Sequence, residues 1–397
     1  MLLPNLNYRS NIWRISIRSY AVSYAKPLTA SLAVGADPLS LILLSNGSEI
    51  SLPALWVRER TQDPSQLDHC SQQRLFNPHA LPIDLSFQSI VETDTGVFIR
   101  FSDSHEECFD KKWLLDAACY QTSRPSQKPW NSAHSIHRVA WQALDERQVV
   151  VETLDRYFVD GFFLLTQAPT TRQSILEVAE TFGKVRETNF GQVFEVVSRE
   201  GSEDLAYRNV ALDLHTDNPY RADPPGIQLL HCLVNDARGG ETTLVDSLAV
   251  CEALRRIDPD GFNLLTQLAV RFRYVDDCYD IESEKPLIAL DAIGNVKGLY
   301  YSPRLDFLPL ASESVLQMFH RARKGLAMLL ADPSYKLSFR LRPGDVLIFD
   351  NLRLLHGREA FDPTDGQRHL QGCYIDPDEL ISKHKRLRRQ MMAEPGY

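Results

Sequence analysis

The clearest periodic signal lies in TRQSILEVAETFG, where Ile175, Val178, Ala179 and Phe182 share one helical face and Gly183 ends the run. Comparable helical patterns recur near 145–158, 247–256, 312–331 and 377–392. Between them lie short apolar or alternating stretches: GFFLL, IQLLHCL, TTLVDS, VRFRYV, LSFRLRPGDVLIFDN and LQGCYID. Their lengths suit strands rather than helices. Many short strands separated by turn residues predict an antiparallel sandwich or barrel with helices packed outside. Upstream, LSLILLSNGSEISLPALWVRER predicts a hairpin turning at Asn46-Gly47, GVFIRFSD a strand, and DKKWLLDAAC a short helix. Residues 37–120 therefore read as a small β-rich domain, the polar, proline-bearing 121–136 as a linker, and 137–397 as the main domain.

Composition narrows the class. Of 397 residues, 44% are hydrophobic and 24% charged, as in an ordinary globular chain, and the net charge of -9 argues against a nucleic-acid binder. No apolar run reaches the length of about 18 residues that a membrane span requires. Seven scattered cysteines without a C-x-x-C fit a reducing compartment better than a disulfide framework. The first 36 residues carry Arg9, Arg14, Arg18 and Lys26 and no acid before Asp37. NIWRISIRSYAVS would form a basic amphipathic helix, which reads as a mitochondrial transit segment cut just after the Arg18 region.

Candidate chemistry starts in LDLHTDNPYR. His215 and Asp217, two apart on an extended strand, point the same way, with Thr216 turned aside. Alone, such a short pair is weak as a ligand signal. Downstream, RPGDVLIFDNLRLLHGREAF supplies His356 after a buried strand, and Arg368 follows in QRHLQGCY. Two imidazoles and one carboxylate make the facial triad of non-haem Fe(II) oxygenases and leave positions open for substrate. A nearby arginine would grip a carboxylate bidentately, as a dicarboxylate cosubstrate such as 2-oxoglutarate requires. His356 and Arg368 could each be structural, and Arg353 and Arg358 are alternative bases.

Taken together, LHTDNPYRADPPGIQLLHCL, GGETTLVDS, FDNLRLLHGREAF and RHLQGCYID resemble the gamma-butyrobetaine and trimethyllysine dioxygenases, within the TauD-like oxygenases that use Fe(II) and 2-oxoglutarate. The resemblance, which also takes in LPALWVRER, implies a mainly β chain with flanking helices. Its catalytic domain would be a double-stranded β-helix (jelly roll) preceded by a small β-rich domain. It implies His215, Asp217 and His356 as iron ligands, Arg368 as the partner of the 2-oxoglutarate distal carboxylate, Thr242 as a second contact, and a close backbone approach at Gly239 and Gly240.

The implied reaction consumes O2 and hydroxylates a small trimethylammonium substrate. Gamma-butyrobetaine, in carnitine biosynthesis, stands ahead of trimethyllysine or another TauD-like substrate. Phe190, Phe194, Tyr207 and Tyr374 occupy the positions of an aromatic cage, with Asp204 and Asn218 also facing substrate. There are departures from the family. Glu203-Asp204 stands where an Asn pair is common, Asn218 replaces a Tyr, and Phe190 and Phe194 replace a Tyr and a Trp of the animal butyrobetaine enzyme. That enzyme's small domain holds zinc, whereas Thr61 and Gln66 here stand roughly where cysteines would, with His105 near the histidine position. His69, Cys70 and His79 are the remaining candidates, and no structural zinc is expected. No nucleic acid or membrane partner is expected, and a homodimer is left open. A catalytically silent binding protein is the competing reading, against which the retention of all four site residues argues.

Overall fold

The computed structural model describes residues 30–45, 48–94, 96–118, 125–197, 212–361 and 366–393. The chain divides into two compact units, 1–122 and 123–397.

In the first unit the expected hairpin is present, Leu41–Ser45 pairing antiparallel with Ser48–Leu52. The Asn46-Gly47 turn itself lies outside the described residues. A third strand, Ala30–Val34, adds to Leu41–Ser45. Folded structure therefore reaches back into the segment read as a transit sequence, past the expected boundary at residue 36. A second sheet joins Phe87–Glu92, Gly96–Phe101 and Glu106–Asp110, and helix Lys111–Ala118 follows. Leu41, Val57, Ile99, Phe101 and Leu114 fill the core beneath.

The second unit is the predicted jelly roll. One sheet has seven strands, with Val185–Arg186, Arg368–Ile375, Ile227–Asn235, Val346–Asp350, Phe162–Thr166 and Arg138–Ala140 in order and Phe194–Val197 also paired to Arg368–Ile375. The facing sheet has four: Leu212–His215, Leu354–Arg358, Thr242–Asp246 and Lys336–Phe339. The apolar run VLIF is continuous because both its faces are covered. Leu347 and Phe349 turn inward to meet Leu244, Leu354 and Phe339 of the other sheet. Val346 and Ile348 turn outward beneath the helices Arg147–Asp160, Ser174–Phe182 and Pro377–Ala393. On the opposite side, Ser247–Ile257 and Glu313–Ala331 cover the four-stranded sheet through Leu254, Phe319 and Leu326.

Two features depart from the sequence reading. Residues from Lys128 onward are not a spacer. Trp130 is buried, its indole donates to Asp160 O at 2.7 Å, and its backbone N–H donates to Asp246. The helix Pro259–Gln267, for which no periodic signal was read, starts on an Asp258 cap with proline at its first turn.

Arg353 and Asp246 form an ion pair at 2.8 Å with both side chains wholly buried. The guanidinium also donates to Val159 O and Lys128 O, and Asp246 caps the helix Ser247–Ile257 through Leu248 N–H. This knot ties the turn before the His356 strand to two neighbouring segments. No helix among the described residues is long and apolar enough to cross a membrane.

Candidate active site

His215 ends the strand Leu212–His215, and His356 sits mid-strand in Leu354–Arg358. The two strands are antiparallel, and His215 and His356 are direct partners in their register. Their rings lie 4.3 Å apart, centre to centre. Asp217 follows just past the strand end, its Oδ1 3.3 Å from His215 Nε2 and 3.8 Å from His356 Nε2. One ligand atom from each of the three lies within 4.8 Å of the others, and no further group of three or more potential metal ligands exists among the described residues. Thr216 turns the other way, as the alternation predicts, and its N–H donates to Tyr301 O at 2.8 Å.

The surroundings set orientation and charge. His215 Nδ1 lies 2.8 Å from Asp213 O, a contact that keeps the proton there and leaves Nε2 as the free lone pair. Asn351 clamps the backbone of Asp217: its Oδ1 accepts from Asp217 N–H at 2.7 Å and its Nδ2 donates to Asp217 O at 3.1 Å. The Tyr374 hydroxyl donates to Asp217 Oδ2 at 2.7 Å. Burial alone would favour a protonated Asp217, but the imidazoles of His356 and His215 and the Tyr374 hydroxyl outweigh it and hold the carboxyl well below the usual range. Burial, helped by the His215 charge, pushes His356 down to about 3, so it is a neutral imidazole at ordinary pH. Burial and the Asp217 charge hold the Tyr374 phenol well above its ordinary value, so it stays a donor. A carboxylate beside the neutral imidazole of His356 suits a divalent metal.

Arg368 is buried, and its Nε finds no hydrogen-bond partner among the described residues. Burial and then the Arg358 charge lower it to about 10. A buried guanidinium whose Nε is unpartnered can receive an anion. Arg358 and Arg368 stand 4.9 and 5.7 Å from the Phe361 ring centre. Thr242 is buried and partners Arg358 across the strands. Gly239 and Gly240 have φ of +80° and +68°, and a Cβ on Gly240 would lie 3.3 Å from Arg368 Cδ and Nε, so the expected close backbone approach is present. Arg353, an alternative base from the sequence, is committed to Asp246.

A cavity of about 520 Å³ opens beside His215 and Asp217, walled by Phe190, Phe194, Tyr220, Tyr274 and Tyr374. Phe194 lies 5.2 Å from Tyr374, Phe190 lies 5.8 Å edge-on to Tyr274, and Tyr220 stacks on Tyr274 at 5.0 Å. Gly372 makes room for Phe194, since a Cβ there would come within 2.1 Å of the ring. Asn218, also on the wall, has φ of +55° and accepts from the Tyr220 hydroxyl at 2.8 Å. Glu203, Asp204 and Tyr207 lie outside the described residues.

Sequence reasoning missed Tyr220, Tyr274 and Asn351. Tyr220 and Asn351 stood inside quoted motifs, three positions past Asp217 and five before His356. Tyr274 carried no local signal, because only the packing of its hairpin brings it to the wall.

In the first unit, the residues compared with zinc ligands bond to one another. Thr61 Oγ1 donates to Glu107 Oε2 at 2.6 Å, His105 Nε2 lies 3.0 Å from the same oxygen, and Gln66 Nε2 lies 3.3 Å from His105 Nδ1. His69 donates to Gln62 O, while Cys70 and His79 are exposed.

The sequence pattern of the taurine catabolism dioxygenase TauD, TfdA family matches residues 122–374, and the chain belongs to that family. It is an iron(II)- and 2-oxoglutarate-dependent dioxygenase. Among its relatives, the gamma-butyrobetaine dioxygenase of Pseudomonas sp. (strain AK-1) is 32% identical over 368 residues, covering 90% of this chain and 96% of that one. The mitochondrial trimethyllysine dioxygenase of Homo sapiens is 27% identical over 346 residues, covering 83% and 80%. A crystal structure of AAD-2 with Mn(II) and N-oxalylglycine shares the fold at a TM-score of 0.51 and 15% identity, covering 64% of this chain and 99% of that one.

Proposed function

We propose that the enzyme hydroxylates a small trimethylammonium compound, gamma-butyrobetaine ahead of trimethyllysine, with His215, Asp217 and His356 holding iron and Arg368 and Thr242 holding 2-oxoglutarate. The observation that carries the substrate class is the set of aromatic rings around the cavity beside Asp217. A quaternary ammonium cannot donate a hydrogen bond, so π faces are its natural receptor, each worth about 0.5–2 kcal/mol. Tyr274 is held for this task by Asp276, which accepts its hydroxyl at 2.8 Å. Arg304 is the one Lys or Arg among the described residues on the cavity wall and would face a carboxylate at the other end of a zwitterion.

Iron held by His215, Asp217 and His356 would, with 2-oxoglutarate and O2, supply the oxidant that puts one oxygen atom into a substrate C–H bond and the other into succinate, with loss of CO2. The protein's own residues bind and orient. The aromatic walls fix the cationic end and exclude water, Asn351 fixes Asp217, and Arg368 neutralises the far carboxylate of the cosubstrate. Changing Arg368 to alanine should raise the apparent KM for 2-oxoglutarate at least about tenfold, since a charge-assisted contact is worth about 1.5–3 kcal/mol. An unchanged KM would move the role to Arg358.

The substrate reading is tested by succinate release with gamma-butyrobetaine, trimethyllysine and an uncharged tert-butyl analogue of butyrobetaine. Turnover should follow the order butyrobetaine, trimethyllysine, analogue. Equal use of the uncharged analogue would overturn the cationic class. The basic, acid-free N-terminal stretch further supports a mitochondrial location, with processing before the strand Ala30–Val34.

A further inference from the structure

Tyr374 was expected to offer only a ring. It does line the cavity, 5.2 Å from Phe194, and its hydroxyl donates to Asp217 Oδ2 at 2.7 Å on the same wall. The other carboxylate oxygen, Oδ1, faces the imidazole Nε2 atoms of His215 and His356. The two oxygens thus have different partners. Tyr374 is 3% exposed, on the strand Arg368–Ile375, whose residues Gly372 and Tyr374 pair with Leu230 and Gln228 of the next strand. That setting leaves the phenol little freedom.

We infer that Tyr374 is a positioning residue that keeps Asp217 a one-oxygen ligand and ties the substrate wall to the metal's carboxylate. This rests on the ligand assignment proposed above. A carboxylate that closed on the metal with both oxygens would take one of the three positions that a facial triad leaves open. With the cosubstrate taking two of these, the constraint would keep the third free for O2. The same side chain forms cavity wall and touches Asp217, so substrate seated against the ring also bears on the carboxylate's second oxygen.

The test is Tyr374→Phe, which keeps the ring and removes only the hydroxyl. Fe(II) affinity is measured anaerobically by competition with a chromophoric chelator, beside kcat and KM for gamma-butyrobetaine. Loss of a hydrogen bond to a metal ligand typically costs about 10–100-fold in affinity or activity. Tyr374→Phe should therefore weaken Fe(II) binding or lower kcat by that factor while KM stays within about twofold of wild type. Phe194→Ala should do the reverse, raising KM and leaving Fe(II) affinity unchanged. If Tyr374→Phe leaves Fe(II) affinity and kcat at wild-type values, or raises KM alone, the residue is a cage ring and the inference is wrong. Asp217→Ala is the control for the underlying assignment: wild-type Fe(II) affinity in that variant would defeat the ligand reading itself, whatever Tyr374→Phe does.

Discussion

Asp217→Ala is expected to abolish succinate formation and Fe(II) binding while the protein stays folded. The carboxylate is the only anionic member of the triad, held ionised between two imidazoles, and lies at a cavity rather than in the apolar core. Its removal leaves two histidines, of which His356 is neutral because of burial. Two imidazoles without a carboxylate bind a divalent cation far more weakly than a triad does, so the loss should exceed the ~10–100-fold that outer-shell changes produce. The backbone clamp by Asn351 does not depend on the side chain and survives. Circular dichroism and the denaturant midpoint should therefore stay close to wild type. An inactive variant that is also unfolded would leave the ligand role unsupported, and an active one would refute it.

The second large effect concerns stability. Asp246→Leu should lower the unfolding free energy by about 3–5 kcal/mol, because it strands the Arg353 guanidinium without its counter-ion in a wholly buried place. Against a typical total of about 5–15 kcal/mol, that brings the domain near its threshold. The change would also remove the cap of Ser247–Ile257 and the acceptor for Trp130 N–H. A urea midpoint should fall sharply, and the double variant with Arg353→Met should recover part of the loss. A single variant as stable as wild type would mean that the knot is incidental.

The jelly roll was legible wherever burial wrote itself into local pattern. VLIF is apolar throughout because its two faces meet different cores, and the helix in SILEVAETF shows its buried face at the helical period. His215 and Asp217 could be read as a pair because strand alternation alone puts them on one side. His356 and Arg368 were legible as residue types in order, although nothing local shows that His356 is the cross-strand neighbour of His215. Less was legible where a side chain serves two surfaces or where contact is purely tertiary. Tyr374 read as a ring because its hydroxyl partner is 157 positions away in sequence. The stretch around Trp130 read as linker because its polar, proline-bearing composition hides one buried indole. The helix Pro259–Gln267 carried a readable start, Asp258 then Pro259, but Gly261 obscured it; a Cβ there would come within 2.2 Å of Asp258 Oδ2.

The most direct test of the account is a crystal structure of the protein with Mn(II) and 2-oxoglutarate grown without oxygen, read by the anomalous signal of the metal. The account predicts one metal per chain, bound by His215 Nε2, His356 Nε2 and a single oxygen, Oδ1, of Asp217. The cosubstrate would bind the metal through its oxo-acid end and reach Arg368 with its far carboxylate. A metal bound elsewhere, or a far carboxylate seated on a different base, would contradict it.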